Sequence, residues 1–173
     1  MSAFEEVHAK FYVDLPMYQI GNLKQAAKSE IIQKLLTYDD TIEGSILGFK
    51  NIKPTEPFCK VYADGPALHV QLEADFMVFK PKVGCVLPGK VSFISSSSLN
   101  LLVLGKFNAT VDFSEFSKKW SFQQQCWECG EVQINNGDVL LLTVLDVITD
   151  SEGPSMTVRV EKKLAESTEQ IEE

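Results

Sequence analysis

The sequence predicts an α+β fold in which an N-terminal α/β domain is followed by a small C-terminal β-barrel. Three observations lead to this prediction. The first half of the chain alternates strand, helix and strand patterns. The second half, from Gly84, holds five short strand patterns separated by turn sequences, without a long helical pattern. At 173 residues and 45% apolar content, the chain can bury a core in two small domains.

The N-terminal domain is predicted over residues 1–80. Residues 7–15 have the β-branched and aromatic content of a strand, which Pro16 ends because proline cannot donate a ladder hydrogen bond. Residues 22–38 place apolar side chains near the helical period, with lysines on the other face. This pattern predicts an amphipathic helix that Asn22 caps and that packs on a sheet.

Further strands are predicted after the helix. Residues 44–52 are expected to alternate, so that Ile46, Gly48 and Lys50 point away from Leu47, Phe49 and Asn51. A third strand follows a loop that contains Pro54 and Pro57. Residues 69–79 show the clearest alternation and predict one buried face and one wet face. The side chains predicted to be buried are Val70, Leu72, Ala74, Phe76 and Val78.

The second half is predicted to form a five-stranded barrel of the oligonucleotide- and oligosaccharide-binding (OB) type over residues 81–163. Five short strands within about 80 residues suit the size of this fold. An insertion over the barrel is predicted at about 114–132, between the third and fourth strands. Residues 164–173 carry four acids and no base, which predicts a disordered acidic tail. The predicted strands are 86–94, 99–104, 107–113, 139–148 and 156–160.

Prolines and glycines punctuate residues 80–91, where the first domain is predicted to give way to the barrel. Pro81 restricts the backbone and Gly84 permits a tight join between the two domains. The pair at residues 88–89 is expected to bend the first barrel strand.

Charge and targeting patterns narrow the class of protein. The formal net charge of −8 argues against nucleic-acid binding by bulk attraction. Residues 80–163 nevertheless balance acids and bases, so a locally basic face and an ordinary solvated surface are both open. The acidic start of the chain and the lack of a run of about 18 apolar residues favour a location inside the cell. The lysines available to a basic face are Lys80, Lys82, Lys90, Lys106, Lys118 and Lys119.

No catalytic residue, metal or cofactor is predicted. Cys126 and Cys129 have the spacing of half a zinc site, but structural zinc needs four ligands and the two histidines lie far away in sequence. The four cysteines are too few and scattered for a disulfide framework, and are expected to be free thiols. Phosphate-binding loops and nucleophile motifs are also missing from the sequence.

Several motifs, taken in order, resemble a known family. They are LPMY at residues 15–18, GNL at 21–23, EGSILGF at 43–49 and ADFMVFKPKVG at 74–84. The last is similar to a junction signature in which an alternating strand ends in an aromatic residue, a base, proline and then glycine. This order resembles the larger stalk subunit of eukaryotic and archaeal multisubunit RNA polymerases, in which a tip domain precedes an OB barrel.

Within that family, three features are similar to the RNA polymerase I version. They are GKFNATV at residues 105–111, Trp127 after an insertion, and NGD at residues 136–138. The resemblance covers roughly residues 4–161 and depends on the order of the motifs, because each motif alone is weak.

The resemblance implies a non-catalytic stalk subunit that forms a heterodimer with a smaller partner, anchors to the polymerase core and offers a docking surface to the polymerase I initiation factor. It also implies a role in ribosomal RNA synthesis, a nuclear and nucleolar location, and contact with nascent RNA. Two alternatives stay open: the stalk subunit of another nuclear RNA polymerase, and a free-standing OB-fold protein that binds single-stranded RNA.

Two sets of site residues follow. Consecutive apolar residues between Pro16 and Gly21 predict docking to the polymerase core, unless they pack under their own sheet. OB barrels stack bases on aromatic rings and hold phosphates with basic side chains, unless those aromatics belong to the core. The docking set is Pro16, Met17, Tyr18, Ile20, Asn22 and Leu23, and the RNA-binding set is Lys90, Phe93, Lys106 and Phe107.

Overall fold

The computed structural model describes two compact units. The first, called the N-terminal unit, comprises residues 4–80 with 151–153, and the second, called the barrel unit, takes the remaining described residues. The structure describes residues 2–56, 60–61, 65, 67–112, 116, 118–123, 126–129 and 131–164. Residues 165–173 of the predicted acidic tail, and Cys59, lie outside the described residues.

In its described residues, the N-terminal unit is an antiparallel sheet with one α-helix and one 3-10 helix. Its strands follow the order β1-β5-β3-β2, and β4 also pairs with β5. The elements are β1 (Phe4–Pro16), the 3-10 helix (Met17–Asn22), α1 (Leu23–Gln33), β2 (Tyr38–Asp39), β3 (Gly44–Pro54), β4 (Lys60–Val61) and β5 (Ala67–Phe79).

Strand β5 is the centre of this sheet, and its predicted alternation is confirmed. Every second side chain from Leu68 to Val78 is buried, while Met77 on the other face is exposed. Strand β1 pairs with β5 along its whole length, from Phe4 opposite Phe79 to Pro16 opposite Ala67. The buried side packs against Ala26, Ala27 and Ile31 of α1, so one apolar layer holds helix and sheet together.

The predicted helix over 22–38 is too long at its C-terminal end, because α1 ends at Gln33. Leu36 adopts a left-handed backbone with φ of 62°, and its N–H donates to the Ile46 carbonyl at 2.7 Å. Tyr38 then pairs with Ser45 in the short strand β2. The residues after Gln33 therefore join the sheet, although their apolar spacing suits a helix equally well.

The simple alternation predicted for residues 44–52 is also wrong. Strand β3 shifts its register against β5 between Ile46 and Gly48, and again between Lys50 and Lys53. Asn51 lies in the second shift with φ of 57°. Each shift displaces the two-residue period, so the two faces of β3 cannot be assigned by counting residues.

The barrel unit contains the closed five-stranded barrel that the sequence predicts. Its strands follow the order β12-β13-β8-β7-β6, and β13 runs parallel to β8 with Met156 opposite Ala109. Buried side chains such as Leu101, Leu140 and Met156 fill the interior. The barrel strands are β6 (Val86–Ile94), β7 (Leu99–Val103), β8 (Phe107–Val111), β12 (Val139–Asp150) and β13 (Gly153–Lys163).

Two local features of the barrel differ from the predicted strand pattern. Leu104 and Gly105 both have positive φ, 54° and 71°, so β7 ends at Val103 and a tight turn leads into β8. Strand β6 shifts register between Val91 and Phe93, beyond the Pro-Gly pair that was expected to bend it. Gly89 instead permits close packing, because an added Cβ would lie 2.5 Å from Leu142 Cδ1.

The insertion folds into a small antiparallel sheet that the sequence did not predict. Its strands are β9 (Ser121–Gln123), β10 (Cys126–Cys129) and β11 (Val132–Ile134), with β10 in the middle. In the part of the chain that the structure describes, no helix is long and apolar enough to cross a membrane.

Two glycines of β3 offer a test of the N-terminal packing. A Cβ on Gly44 would clash with Cγ1 of the buried Val78 and lie 2.8 Å from Lys80 Cγ, whereas a Cβ on Gly48 would meet nothing within 4 Å. Gly44→Ala should lower the free energy of unfolding by roughly 1–3 kcal/mol, because the branched Val78 side chain cannot rotate freely away. Gly48→Ala should leave it nearly unchanged. Urea unfolding measures both, and equal midpoints for the two variants would contradict the close packing.

Candidate functional site

The predicted docking segment forms the 3-10 helix, and it exposes its apolar side chains. None of its six residues is buried. Met17 is 48% exposed, Tyr18 83% and Ile20 63%. The alternative that these side chains pack under their own sheet is therefore wrong.

The remaining docking residues frame this exposed segment. Pro16 is half-buried and pairs with Ala67, while Leu23 packs against the core. Asn22 occupies the N-cap position of α1 and is exposed, but its side chain makes no capping hydrogen bond. The preceding 3-10 helix leads the chain into α1 instead, so the predicted cap is present by position and not by bonding.

A further apolar side chain lies at the same end of the sheet. Leu15, Leu68 and Val61 form a row across β1, β5 and β4. The first two are buried and Val61 is exposed. The end of the sheet next to the 3-10 helix thus has an apolar interior and an apolar outer edge, which suits contact with another protein.

The face of the N-terminal sheet that lies opposite α1 is covered by paired charges. His8 Nδ1 lies 2.7 Å from Asp75 and its Nε2 lies 3.8 Å from Glu73, while Lys50 bonds Glu6 at 2.8 Å. Hydrogen bonds from His8, and next from Asn51, lower the pKa of the Asp75 carboxyl. The hydrogen bond with Glu6 raises the pKa of the Lys50 ammonium. These charges satisfy one another, which is typical of a solvated sheet face.

The outer face of β6, β7 and β8 carries two of the predicted RNA-binding residues. Lys90 and Phe93 are both exposed on β6, Phe93 at 54%. Cross-strand pairing forms two outward rows: Lys90 lies beside Leu102 and Asn108, and Phe93 lies beside Asn100 and Thr110. An aromatic ring and a lysine on one barrel face are the groups that hold a base and a phosphate.

A register shift is the reason that Phe93 points outward. Val91 is buried, so strict alternation would send Phe93 into the barrel as well. Between them, the shift lets Ser92 and Phe93 together oppose Asn100, and the Ser92 hydroxyl donates to the Asn100 carbonyl at 3.1 Å.

The other two predicted RNA-binding residues lie elsewhere. Phe107 is only 2% exposed and belongs to the barrel core, because β8 alternates regularly from it. Its ring cannot receive a base, and its place in the RNA-binding set is wrong. Lys106 is exposed in the turn between β7 and β8, and its N–H donates to the Val103 carbonyl. That position is nearer the Lys90 row than the Phe93 row.

The insertion contains a column of aromatic rings whose arrangement the sequence did not reveal. Trp127 is 4% exposed, and its Nε1 donates to the Ser95 carbonyl at 3.1 Å. Phe116 meets Trp127 edge-on at a centroid distance of 5.1 Å. Trp120 stacks on Phe116 at 5.4 Å with an interplanar angle of 8°. The column anchors the insertion to the turn between β6 and β7.

The two cysteines of β10 do not form a shared site. Three positions separate Cys126 from Cys129, so the strand places them on opposite faces, one buried and one exposed. Burial raises the pKa of the Cys126 thiol, whose Sγ donates to the Gln123 carbonyl at 3.0 Å. Among the described residues, no group of three His, Cys, Asp or Glu side chains could hold a metal ion.

The NGD sequence at residues 136–138 has a structural role in barrel closure. Gly137 has φ of 92° and its N–H donates to the Val91 carbonyl at 3.0 Å. The Asp138 carboxylate accepts from the Asn135 N–H at 2.7 Å and from Lys163 Nζ at 2.6 Å. The turn therefore links β6, β12 and the end of β13.

Comparisons with known proteins agree with the barrel. A family model described as the RPA43 OB domain in RNA Pol I matches residues 81–173. The DNA-directed RNA polymerase I subunit rpa43 of Schizosaccharomyces pombe is 33% identical over 123 residues, which is 70% of this chain and 69% of the relative. The RPA43 subunits of mouse and human are each 29% identical over 146 residues. That match is 84% of this chain, but only 42% of the mouse protein and 41% of the human protein.

The anchoring of the insertion can be tested at Trp127. Trp127→Phe removes the hydrogen bond to the Ser95 carbonyl and leaves a half-buried acceptor without this donor, which should destabilise the insertion sheet by roughly 1–3 kcal/mol. Hydrogen exchange at the amides of β10 should then be faster. Trp120→Phe, which keeps a stacked ring, is the matched control and should not change exchange. Unchanged protection in Trp127→Phe would refute the anchoring role.

Proposed function

Given that the chain belongs to the RPA43 family of RNA polymerase I subunits, we propose that it is a non-catalytic stalk subunit of DNA-directed RNA polymerase I. The observation that carries this proposal is the closed barrel with parallel β8 and β13, which lies inside the stretch that the family model matches. The matching relatives are named as polymerase I subunits, which favours this reading over the stalk subunit of another nuclear polymerase.

The N-terminal unit, in this proposal, is the tip domain that anchors the subunit to the polymerase core. The contact surface is the 3-10 helix, with Met17, Tyr18 and Ile20 as its apolar side chains and Pro16 and Leu23 holding its ends. Three large apolar side chains exposed within four positions favour burial against another protein.

The barrel unit is proposed to project from the core and to contact nascent RNA. Phe93 offers a ring for stacking, while Lys90 and Lys106 offer charges for phosphates. The same subunit is proposed to pair with a smaller stalk subunit and to present a docking surface to the polymerase I initiation factor. Those partners place it in ribosomal RNA synthesis, in the nucleus and its nucleolus.

Affinity purification of the tagged chain tests the assignment as a whole. We expect the large polymerase I subunits and one small partner to co-purify in stoichiometric amounts at moderate salt. Recovery of the chain alone, with tight and salt-sensitive RNA binding, would instead support a free-standing RNA-binding protein.

Core docking is tested by the double substitution Met17→Asp and Tyr18→Asp. Two carboxylates cannot be buried at an apolar contact without a large desolvation cost, so the subunit should be lost from purified polymerase. Ile32→Asp, at another exposed apolar position of the same unit, is the matched control and should still assemble. Circular dichroism checks that both variants fold. Normal assembly of the double variant would rule out this docking segment.

RNA contact is tested by Phe93→Ala in the full chain. Loss of one stacked base costs roughly 1–3 kcal/mol, so the dissociation constant for single-stranded RNA should rise by about one to two powers of ten. Val86→Ala, at a similarly exposed position of β6, is the control and should bind as the wild type does. Lys90→Ala should reduce the salt dependence by about one phosphate contact. Equal affinity of the Phe93 and Val86 variants would exclude this face.

A further inference from the structure

A groove of about 470 Å³ opens beside the parallel pair β8–β13, and neither the family motifs nor the predicted sites account for it. The buried Val111 and Phe116 form apolar parts of its wall. Trp120, Lys119 and Arg159 also line it. The groove therefore brings a flat aromatic ring and two cations to one concave surface of the barrel unit.

The Trp120 ring is held in place before any ligand arrives. It stacks on Phe116, and Phe116 in turn meets the buried Trp127, which is tied to the Ser95 carbonyl. Trp120 itself is only half-buried. As the outermost ring of the column, it can continue the stack with one more planar group at little entropic cost.

The Arg159 guanidinium is also fixed in position. Its Nε and Nη2 each lie 3.1 Å from Glu161 Oε1, and the same oxygen accepts from the Thr143 hydroxyl at 2.9 Å. The Thr143 hydrogen bond, and next that of Arg159, lower the pKa of Glu161 and keep its carboxylate charged. A guanidinium oriented in this way presents its remaining N–H groups at a defined angle.

The groove is not a simple anion-binding site, because carboxylates line it beside the cations. Lys119 and the neighbouring Lys118 are exposed, but Asp112 and Glu161 also line or approach the same groove. A free phosphate would meet these carboxylates as well as the cations. A ligand with a flat ring, amino groups and a single nearby charge fits the mixture better, because carboxylate oxygens accept hydrogen bonds from base amino groups.

The groove continues from the outer face described above. The Phe93 row extends across β7 and β8 to Thr157 of β13, and Arg159 is the next outward residue along that strand. Three strand spacings of about 4.8 Å, followed by about 6.6 Å along β13, separate Phe93 from Arg159. A single strand of nucleic acid crossing this face would therefore arrive at Trp120.

We propose that this groove binds one base and the adjoining phosphate of a single-stranded nucleic acid, with the base stacked on Trp120 and the phosphate held by Arg159 and Lys119. This site is separate from the contact proposed at Phe93 and does not require it. Together the two sites would fix the direction in which a strand crosses the barrel.

Fluorescence provides a direct test, because the chain has only two tryptophans and Trp127 is buried. Titration of the full chain with a short oligoadenylate, whose bases carry amino groups, should quench the Trp120 emission and leave that of Trp127. Trp120→Ala should weaken binding about 5- to 100-fold, and Trp120→Phe should restore most of it. Arg159→Gln leaves the ring column intact and should weaken binding and lower its salt dependence.

The outcomes separate the possible ligands. Tighter binding of RNA than of DNA of the same sequence identifies RNA as the ligand, and the reverse identifies single-stranded DNA; both support the stacking site. If Trp120→Ala and Arg159→Gln bind nucleic acid as the wild type does, the proposal is overturned. If they also fail to join the polymerase, the groove is a protein-docking site. If only Phe93→Ala leaves binding unchanged, the contact proposed at Phe93 is refuted and the groove site is not.

Discussion

The two-residue period of its strands is the constraint on which this structure depends. Each strand can turn only every second side chain toward a core, so burial and exposure are decided together. In β5 this rule operates from Ala67 to Val78, with the helix-facing side apolar and the other side covered by paired charges. In the barrel it sends Phe107 inward and Asn108 outward. The surfaces available for binding are what remains after the core positions have been assigned.

The fold can be predicted from the sequence where this two-residue period is uninterrupted. The faces of β5 and the positions of the five barrel strands could be predicted, because their apolar residues recur at a spacing that only strands explain. The fold cannot be predicted from the sequence where backbone geometry overrides the apolar pattern. The end of α1 depends on the left-handed conformation of Leu36, and the faces of β3 depend on its two register shifts. Such features arise from pairing with distant residues, which local composition does not encode.

The candidate site likewise has features that could be predicted from the sequence and features that could not. The exposed 3-10 helix was accessible to prediction because Pro16 and Gly21 isolate its apolar residues from any regular element. The difference between Phe93 and Phe107 was not, since both are phenylalanines in barrel strands. The aromatic column of the insertion was also out of reach, because its rings come from separate short segments and meet only when β10 lies against the turn at Ser95.

The register shift in β6, and not the chemical nature of the side chain, determines that Phe93 is exposed. If the shift closed with both residues kept, Ser92 would oppose Asn100 and Phe93 would oppose the buried Leu99, which would turn the ring into the filled interior. Deleting Ser92 would also close the shift, but Phe93 would then follow Val91 directly and stay outside. The pairing of Phe93 with Asn100, instead of with Leu99, is therefore what keeps the ring on this surface. Among related chains, the pairing register at this point, more than the identity of the aromatic residue, would decide whether the face is built.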